Sequence, residues 1–258
     1  LDAIEGTPVL DIKPYSDMID KPGKSFNQEE KKNNPRIEIE HLIENNDIEK
    51  VLLKSGELHG HFCPGLALGV KAAVYALKEL KLNSQGMEDV LAITETNSCF
   101  ADGIQYVTGC TFGNNALIYR DYGKTAVTIT DRKEKGIRLY ANNNDYIKEN
   151  YSEVNKLFEK VVTNRNGTEA EEKMLNQKWS EVSFSMIKEP VKKLFKIEKV
   201  TPEIPEYAPI FEDAYCEKCG EKIMASKANV NNNQTYCKAC ADSRYLQLDG
   251  SGLKEVNN

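Results

Sequence analysis

The sequence predicts an α+β fold, in which an antiparallel sheet packs against helices, followed by a small cysteine-rich module at the C-terminus. Apolar residues at helical spacing precede and follow a run of short strand-like segments and do not alternate with every strand, which favours α+β over a doubly wound sheet. Four of the seven cysteines form two C-x-x-C pairs near the C-terminus. Prolines at 202, 205 and 209 separate this module from the preceding elements.

Apolar periodicity predicts five helices, at about residues 48–58, 64–80, 99–107, 143–162 and 169–189. Pro64 suits the first turn of the second helix, because its missing N–H costs nothing there. The same proline disfavours a helical conformation at Cys63, so we expect an extended chain just before this helix. The second helix is rich in glycine and alanine, which suits close packing against another element and suggests a homodimer.

Short apolar runs predict four strands, at residues 90–94, 116–119, 125–130 and 137–140. The polar links at 121–124 and 131–136 are short, which favours antiparallel hairpins between the last three strands. Within the first 35 residues, the segment 7–15 has strand-like character.

Composition divides the chain into four parts. Residues 1–35 hold four prolines and a mixed polar run, so we expect a linker there, and residues 36–200 form the α+β core. Residues 212–246 hold the cysteine module, and residues 247–258 have the composition of a polar tail.

The gross composition argues against several classes of function. A formal net charge of -6 gives the core no general affinity for nucleic acid or an anionic membrane. No apolar run approaches the roughly 20 residues that span a bilayer, and the N-terminus lacks the pattern of an export signal. C-x-x-C pairs without an export signal indicate a reducing, cytoplasmic setting. Lysines at 188, 192, 193, 196 and 199 form a local basic stretch, which the solvated face of a helix explains equally well.

The four C-terminal cysteines, Cys216, Cys219, Cys237 and Cys240, have the spacing of a zinc site. Four thiolates give a closed tetrahedral site with no position for a substrate, so this zinc is predicted to be structural. A thioredoxin-like redox pair fits poorly, because neither C-x-x-C lies in a βαβ context. A short helix at 241–246 would make the module a treble clef, and without it the module is a plain ribbon.

The other three cysteines, Cys63, Cys99 and Cys110, lie in or beside glycine-rich segments that also hold two of the three histidines. Cys63 falls at an expected helix N-terminus, where the helix dipole lowers a thiol pKa. Cys, His and Asp side chains from two helix ends could bind a transition metal with an open position, or form a thiol redox centre. A lone buried cysteine is usually a small hydrophobic residue, so the clustering is what favours a site.

The segments His59–Gly69 and Cys99–Gly113 resemble the family of the E subunit of formylmethanofuran dehydrogenase, as does the turn Asp121–Lys124. The resemblance covers about residues 45–195 and implies an α+β core, with a treble-clef zinc finger in some members. In that enzyme, the pterin metal and the iron–sulfur clusters lie on other subunits. The resemblance therefore implies an accessory role beside partner oxidoreductase subunits.

By this resemblance, the core site maps onto His61, Cys63, Cys99, Asp102 and Cys110, with His59 and Gln105 as further candidates. Cys63 with Cys99 or Cys110 would hold a zinc or iron ion, and His61 would complete the shell. Asp102 would orient a ligand or move a proton. The expected catalytic residues are thus Cys63, Asp102 and Cys110.

Residues 5–15 resemble the end of the catalytic domain in the family of tRNA adenosine-N6 methyltransferases, with Glu5 where that family has Asp. Because the chain begins with Leu1, we expect it to be the rear part of a fusion. The predicted function is a metal-binding protein with redox or metal chemistry in anaerobic metabolism. The alternatives are a non-catalytic metal carrier or assembly factor, and a module fused to a tRNA methyltransferase.

Overall fold

A computed structural model describes residues 25–142 and 150–258, so the strand-like segment 7–15 lies outside the described residues. In the N-terminal unit, which extends to His41, helix α1 covers Gln28–Asn33. The Asn27 side chain accepts a bond from the Glu30 N–H, and the Glu30 carboxylate accepts one from the Asn27 N–H. This capping box stabilises the first turn, so the described part of the expected linker contains a short helix.

Seven further helices follow α1 in the described residues. They are α2 Ile37–Glu44, α3 Ile48–His59, α4 Pro64–Leu80, α5 Cys99–Thr108, α6 Ser152–Phe158, α7 Glu169–Met186 and α8 Val191–Leu194. A π-helical turn, Glu159–Thr163, continues α6. The periodicity thus predicted α3, α4, α5 and α7 within three residues, whereas the helix expected from 143 begins at Ser152 in its described part. No described helix combines the length and apolarity that a membrane span requires.

Five strands form the core sheet, in the order β2-β1-β3-β4-β5. They are β1 Val90–Thr94, β2 Leu117–Tyr119, β3 Ala126–Asp131, β4 Gly136–Ala141 and β5 Phe195–Val200. Strand β1 is buried along its whole length and pairs in parallel with β2 and antiparallel with β3. The other neighbours are antiparallel, so the predicted α+β class is confirmed with a mixed sheet.

The hairpin expected between β2 and β3 does not form. Helix α5 carries the chain back beside β1, so β2 runs parallel to β1 and β1 separates it from β3. The hairpin expected between β3 and β4 is confirmed, with Thr128 opposite Arg138.

Strand β5 was not predicted. Its residues belong to the lysine-rich stretch that was explained as a helix face, but Lys196 and Lys199 lie on this edge strand. Lysines at a sheet edge discourage pairing with another chain, and they also hid the strand pattern.

Helix α4 is the central helix of the core. It packs against α3, α5 and α7 and against strands β3 and β4. At its contact with α5, a methyl group on Gly69 would overlap the carbonyl oxygen of Phe100, and one on Gly103 would meet the Leu66 carbonyl oxygen at 2.6 Å. The two helix backbones therefore touch at two glycines.

Three two-stranded sheets make up the C-terminal region. Their strands are β6 Asp213–Tyr215, β7 Lys222–Met224, β8 Asn229–Asn231, β9 Gln234–Tyr236, β10 Tyr245–Asp249 and β11 Gly252–Val256. The helix expected at 241–246 is absent, because Asp242 has a left-handed φ of 52° that ends the turn. The polar tail expected from 247 instead forms most of the β10–β11 hairpin, whose turn chemistry (Asp249-Gly-Ser-Gly252) favours strand reversal.

We expect Gly69→Ala to lower the free energy of unfolding by about 1–2 kcal/mol, measured by urea denaturation. Overpacking against backbone costs about 1–3 kcal/mol, which outweighs the helix propensity that alanine gains, at most about 1 kcal/mol. Gly113→Ala is the control, because a methyl group there would meet only Thr111 Oγ1, at 3.8 Å. A Gly69→Ala protein as stable as the control would contradict the close contact.

Candidate metal centres

Four side chains converge at one end of the α4–α5 pair to form what we term the core cluster: His59, His61, Cys63 and Cys99. Their ligand atoms all lie within 4.8 Å of one another. Cys63 is buried and the other three are partly exposed. The structure thus brings together three of the five residues expected in the core site and adds His59, which was a secondary candidate.

Local backbone features position these four side chains. His59 is the last residue of α3, and Gly60, with a φ of 84°, turns the chain out of that helix. His61 and Cys63 lie in the short link before α4, where Cys63 is extended at φ -144° and ψ 160°. This conformation is the one expected for a residue that precedes a proline. Cys99 begins α5, shortly after the carboxyl end of β1.

The two cysteines of the core cluster interact with each other. A hydrogen bond from Cys63 lowers the pKa of the Cys99 thiol to about 5, and the neighbouring His59 and His61 act in the same direction. The same bond, together with burial, raises the pKa of Cys63, although its Sγ accepts a bond from the Leu66 N–H at 3.4 Å. Burial also lowers the pKa of His61, and His59 adds to this effect. One proton therefore lies between the sulfurs and stays mainly on Cys63.

Asp102 lies behind His59 and fixes its ring. The Asp102 carboxylate contacts His59 Nδ1 at 2.8 Å and accepts a second bond from Gln105 Nε2 at 3.1 Å. His59 Nε2 faces Cys63 Sγ at 3.7 Å. If Nδ1 carries the proton, it donates to the carboxylate, and the lone pair of Nε2 points into the core cluster.

A stack of aromatic rings continues from the core cluster to the surface. The His59 and His61 rings are 4.4 Å apart, and the His61 ring stacks on Trp179 at 5.8 Å with an interplanar angle of 27°. Phe158, at the end of α6, lies 5.6 Å beyond Trp179. Our sequence reasoning missed Trp179, for which the one signal was that it is the single tryptophan of the chain.

Cys110, expected as a ligand and a catalytic residue, lies outside the core cluster. It is fully buried past the end of α5, and its Sγ donates to the carbonyl oxygen of Val90 at 3.3 Å. Its N–H donates to Thr108 Oγ1 at 3.1 Å. These bonds connect α5 to the start of β1, so Cys110 has a structural position there. The sequence proximity to Cys99 was misleading, because a full helix separates the two residues.

The second group of ligands is the C-terminal cluster of Cys216, Cys219, Cys237 and Cys240, whose sulfurs also lie within 4.8 Å of one another. Gly220, with a φ of 75°, closes the first turn, and its N–H donates to the carbonyl oxygen of Cys216. Backbone N–H groups of Cys237 and Cys219 lower the pKa of Cys216 to about 6. Hydrogen bonding with Cys237 raises the pKa of Cys240 to about 12. The arrangement fits one tetrahedral zinc ion, as predicted.

Two family models match the chain. The model described as "FmdE, Molybdenum formylmethanofuran dehydrogenase operon" matches residues 58–196, which contain the core cluster. The model described as "Prokaryotic dksA/traR C4-type zinc finger" matches residues 209–246, which contain the C-terminal cluster.

Two individual proteins are similar to the chain over most of its length. A protein of Archaeoglobus fulgidus named "Probable S-adenosyl-L-methionine-binding protein" is 43% identical over 98% of this chain, which spans 66% of that relative's length. The crystal structure of a tungsten formylmethanofuran dehydrogenase FmdE-like protein from Syntrophus aciditrophicus matches with a TM-score of 0.50. That match covers 75% of this chain and 91% of the other, at 23% identity, so it supports the fold alone.

Cys219→Ser should make the C-terminal module sensitive to trypsin while the core stays protected. Only Cys216 of the four ligands is buried, so the module has little apolar burial of its own and metal binding supplies its folding energy. Mass spectrometry should detect new cleavage after Lys218, Lys222 and Lys238. The control is Met224→Ala, a change at an exposed position of the same module. An unchanged cleavage pattern in a zinc-depleted Cys219→Ser protein would argue that the module folds without metal.

Proposed function

The chain belongs to the FmdE family, and we propose that its core cluster binds a zinc or iron ion for redox or metal chemistry. Its family and its C4 zinc finger make it a metal-binding protein. The observation that carries the finer proposal is the convergence of two thiol and two imidazole groups from three separate segments of the core.

The donor set and its spacing suit these ions. Two sulfur and two nitrogen donors in tetrahedral geometry are typical of zinc or iron. A zinc ion with bonds of about 2.0–2.3 Å holds its ligands about 3.3–3.8 Å apart. The Cys63 Sγ–His59 Nε2 distance of 3.7 Å lies in that range, and a contraction from at most 4.8 Å would bring the other ligand atoms into it.

The surrounding residues would support the site in distinct ways. A bound ion would supply Lewis acidity, and iron would add a redox couple. The Asp102 carboxylate would keep the His59 ring in one orientation and one tautomer. Cys63 would give up the proton that it shares with Cys99, so ion binding would release it to solvent. The Trp179 ring would hold His61 on the exposed side.

We propose an accessory role in an oxidoreductase of anaerobic metabolism, supported by the description of the family. A reducing, cytoplasmic setting suits the free thiols. We keep the division into residues 1–35, 36–200 and 212–246 as a proposal, with the hairpin appended to the last part. The glycine- and alanine-rich face of α4, which suggested a homodimer, packs within the chain on α5, so it no longer argues for one.

A second candidate function is to serve as part of a larger S-adenosylmethionine-binding protein. The printed name of the Archaeoglobus relative favours it, and the resemblance of residues 5–15 points the same way. Calorimetric titration of this chain with S-adenosylmethionine would test it directly. Saturable binding would support the candidate, and its absence at millimolar concentration would restrict that activity to the part of the relative that this chain does not span.

Elemental analysis of the purified chain should give two metal ions per molecule. Cys99→Ser should reduce the content to one, because the core cluster loses a thiolate ligand. Cys110→Ser is the matched control and should keep both ions, since its sulfur lies outside the core cluster. One ion in the wild-type protein would overturn the proposal. Transfer of the core ion to an apo-enzyme without turnover would favour a carrier over an enzyme.

Asp102→Asn should weaken metal binding at the core cluster by about 10- to 100-fold, as found for residues that orient histidine ligands. A chelator competition titration would measure it. Asp131→Asn is the control, because that carboxylate accepts bonds from the Lys133 and Lys135 N–H groups in the β3–β4 turn. Equal affinities of the two variants would mean that Asp102 does not support His59.

A further inference from the structure

A cavity of about 310 Å³ lies beside the core cluster, between the end of β1, helix α5 and the β10–β11 hairpin. Asp102 and Gln105 line it, so the carboxylate that holds His59 also forms part of its wall. We infer that this cavity binds a small organic cation, an ammonium group on a short apolar body. The binding itself is independent of the proposed metal centre, and only the role of the cation as a substrate rests on that proposal.

Direct bonds between the hairpin and the core build the outer wall of the cavity. Asn97 Nδ2 donates to the carbonyl oxygen of Asp249 at 2.6 Å, and the Leu253 N–H donates to Asp121 Oδ2 at 2.7 Å. Gly252 has a φ of 101°, and a methyl group there would meet Asp121 Oδ2 at 2.5 Å. Only glycine permits this approach of the turn to the Asp121 carboxylate, so the wall is a specific contact.

The charges in the wall favour a cation. Two carboxylates, those of Asp102 and Asp249, line the cavity, and its lining residues include no lysine, arginine or histidine. Asp249 already pairs with Lys254, whereas the Asp102 side chain is 37% exposed. An anion in this cavity would meet negative charge without a partner, and an ammonium group would find Asp102.

The hydroxyl groups of the wall favour a hydrogen-bond donor. Thr94 Oγ1 donates its proton to the carbonyl oxygen of Thr96, and the Tyr119 hydroxyl donates to Asp121 Oδ1 at 2.6 Å. Burial and Asp121 raise the pKa of Tyr119 to about 12, so this proton stays in place at neutral pH. Both oxygens therefore present lone pairs to an occupant of the cavity.

The remaining wall is apolar. Phe112 and Leu248 line the cavity and are 55% and 39% exposed, and Leu117 lies beside them. Exposed aromatic and leucine side chains that face a cavity gain by covering with an apolar group. The Phe112 ring can also attract a cation through its face. The occupant would therefore combine an ammonium group toward Asp102 with a small hydrocarbon part toward Phe112 and Leu248.

Three probes of similar shape test the charge preference: benzylamine, benzyl alcohol and benzoate, titrated by calorimetry at pH 7 into the full chain. Protonated benzylamine should bind saturably and at least about 10-fold more tightly than benzyl alcohol, because a charge-assisted bond contributes about 1.5–3 kcal/mol. Benzoate should not bind. Benzoate binding as tight as that of benzylamine, or the absence of saturable benzylamine binding, would overturn the inference.

Two leucines of one strand test the location. Leu246 and Leu248 share a face of β10, but Leu246 is not among the lining residues. Leu248→Ala should weaken benzylamine binding about 3- to 10-fold through lost apolar contact, and Leu246→Ala should change it less than about twofold. Equal effects would refute the site. Metal content is measured in parallel, so loss of binding at unchanged metal content contradicts this inference alone, and loss of metal in Cys99→Ser with binding retained concerns the metal centre alone.

Discussion

The close contact between α4 and α5 determines the geometry of the core. The two helix backbones meet at Gly69 and Gly103. One helical layer nearer the N-termini, a methyl group on Gly65 would meet Cys99 Cβ at 3.0 Å. Since Cys63 precedes α4 and Cys99 begins α5, this separation of the helices also fixes the separation of the two sulfurs. Larger side chains at the crossing would move the thiols apart, so the packing of the core and the chemistry of the core cluster depend on the same contact.

That contact has electrostatic consequences, which extend outward in steps. Two sulfurs near the N-termini of adjacent helices share a proton, with a low pKa at Cys99 and a raised one at Cys63. His59 reaches the sulfurs through Nε2 and reaches Asp102 through Nδ1. Asp102 in turn lines the cavity that the C-terminal hairpin closes. Each group in this series touches the next, so the hairpin lies two side chains away from the sulfurs.

Local features of the sequence predicted much of this arrangement. The apolar periodicity located the helices, Pro64 predicted the start of α4, and its effect on the preceding residue predicted the extended Cys63. The family resemblance found in the motifs is confirmed by the match over residues 58–196. Features that depend on distant partners were missed. Strand β2 pairs with β1 across a helix, and Trp179 reaches His61 from a helix more than a hundred residues later in the chain. Cys110 was misassigned because closeness in sequence took the place of closeness in space.

The two metal sites differ for the same reason. In the C-terminal cluster, a ligand and its partner are three residues apart, and the pairs belong to one small module. Such a site can form whenever its own segment does, which is why spacing alone identified it. The core cluster takes its ligands from residues 59–63 and from residue 99, which approach only after α4 and α5 have packed. Folding of the core therefore precedes the core cluster, whereas in the C-terminal module metal binding and folding are one event. Because the hairpin that follows this module docks on Asp121 of the core, order in the module reaches the wall of the cavity beside Asp102.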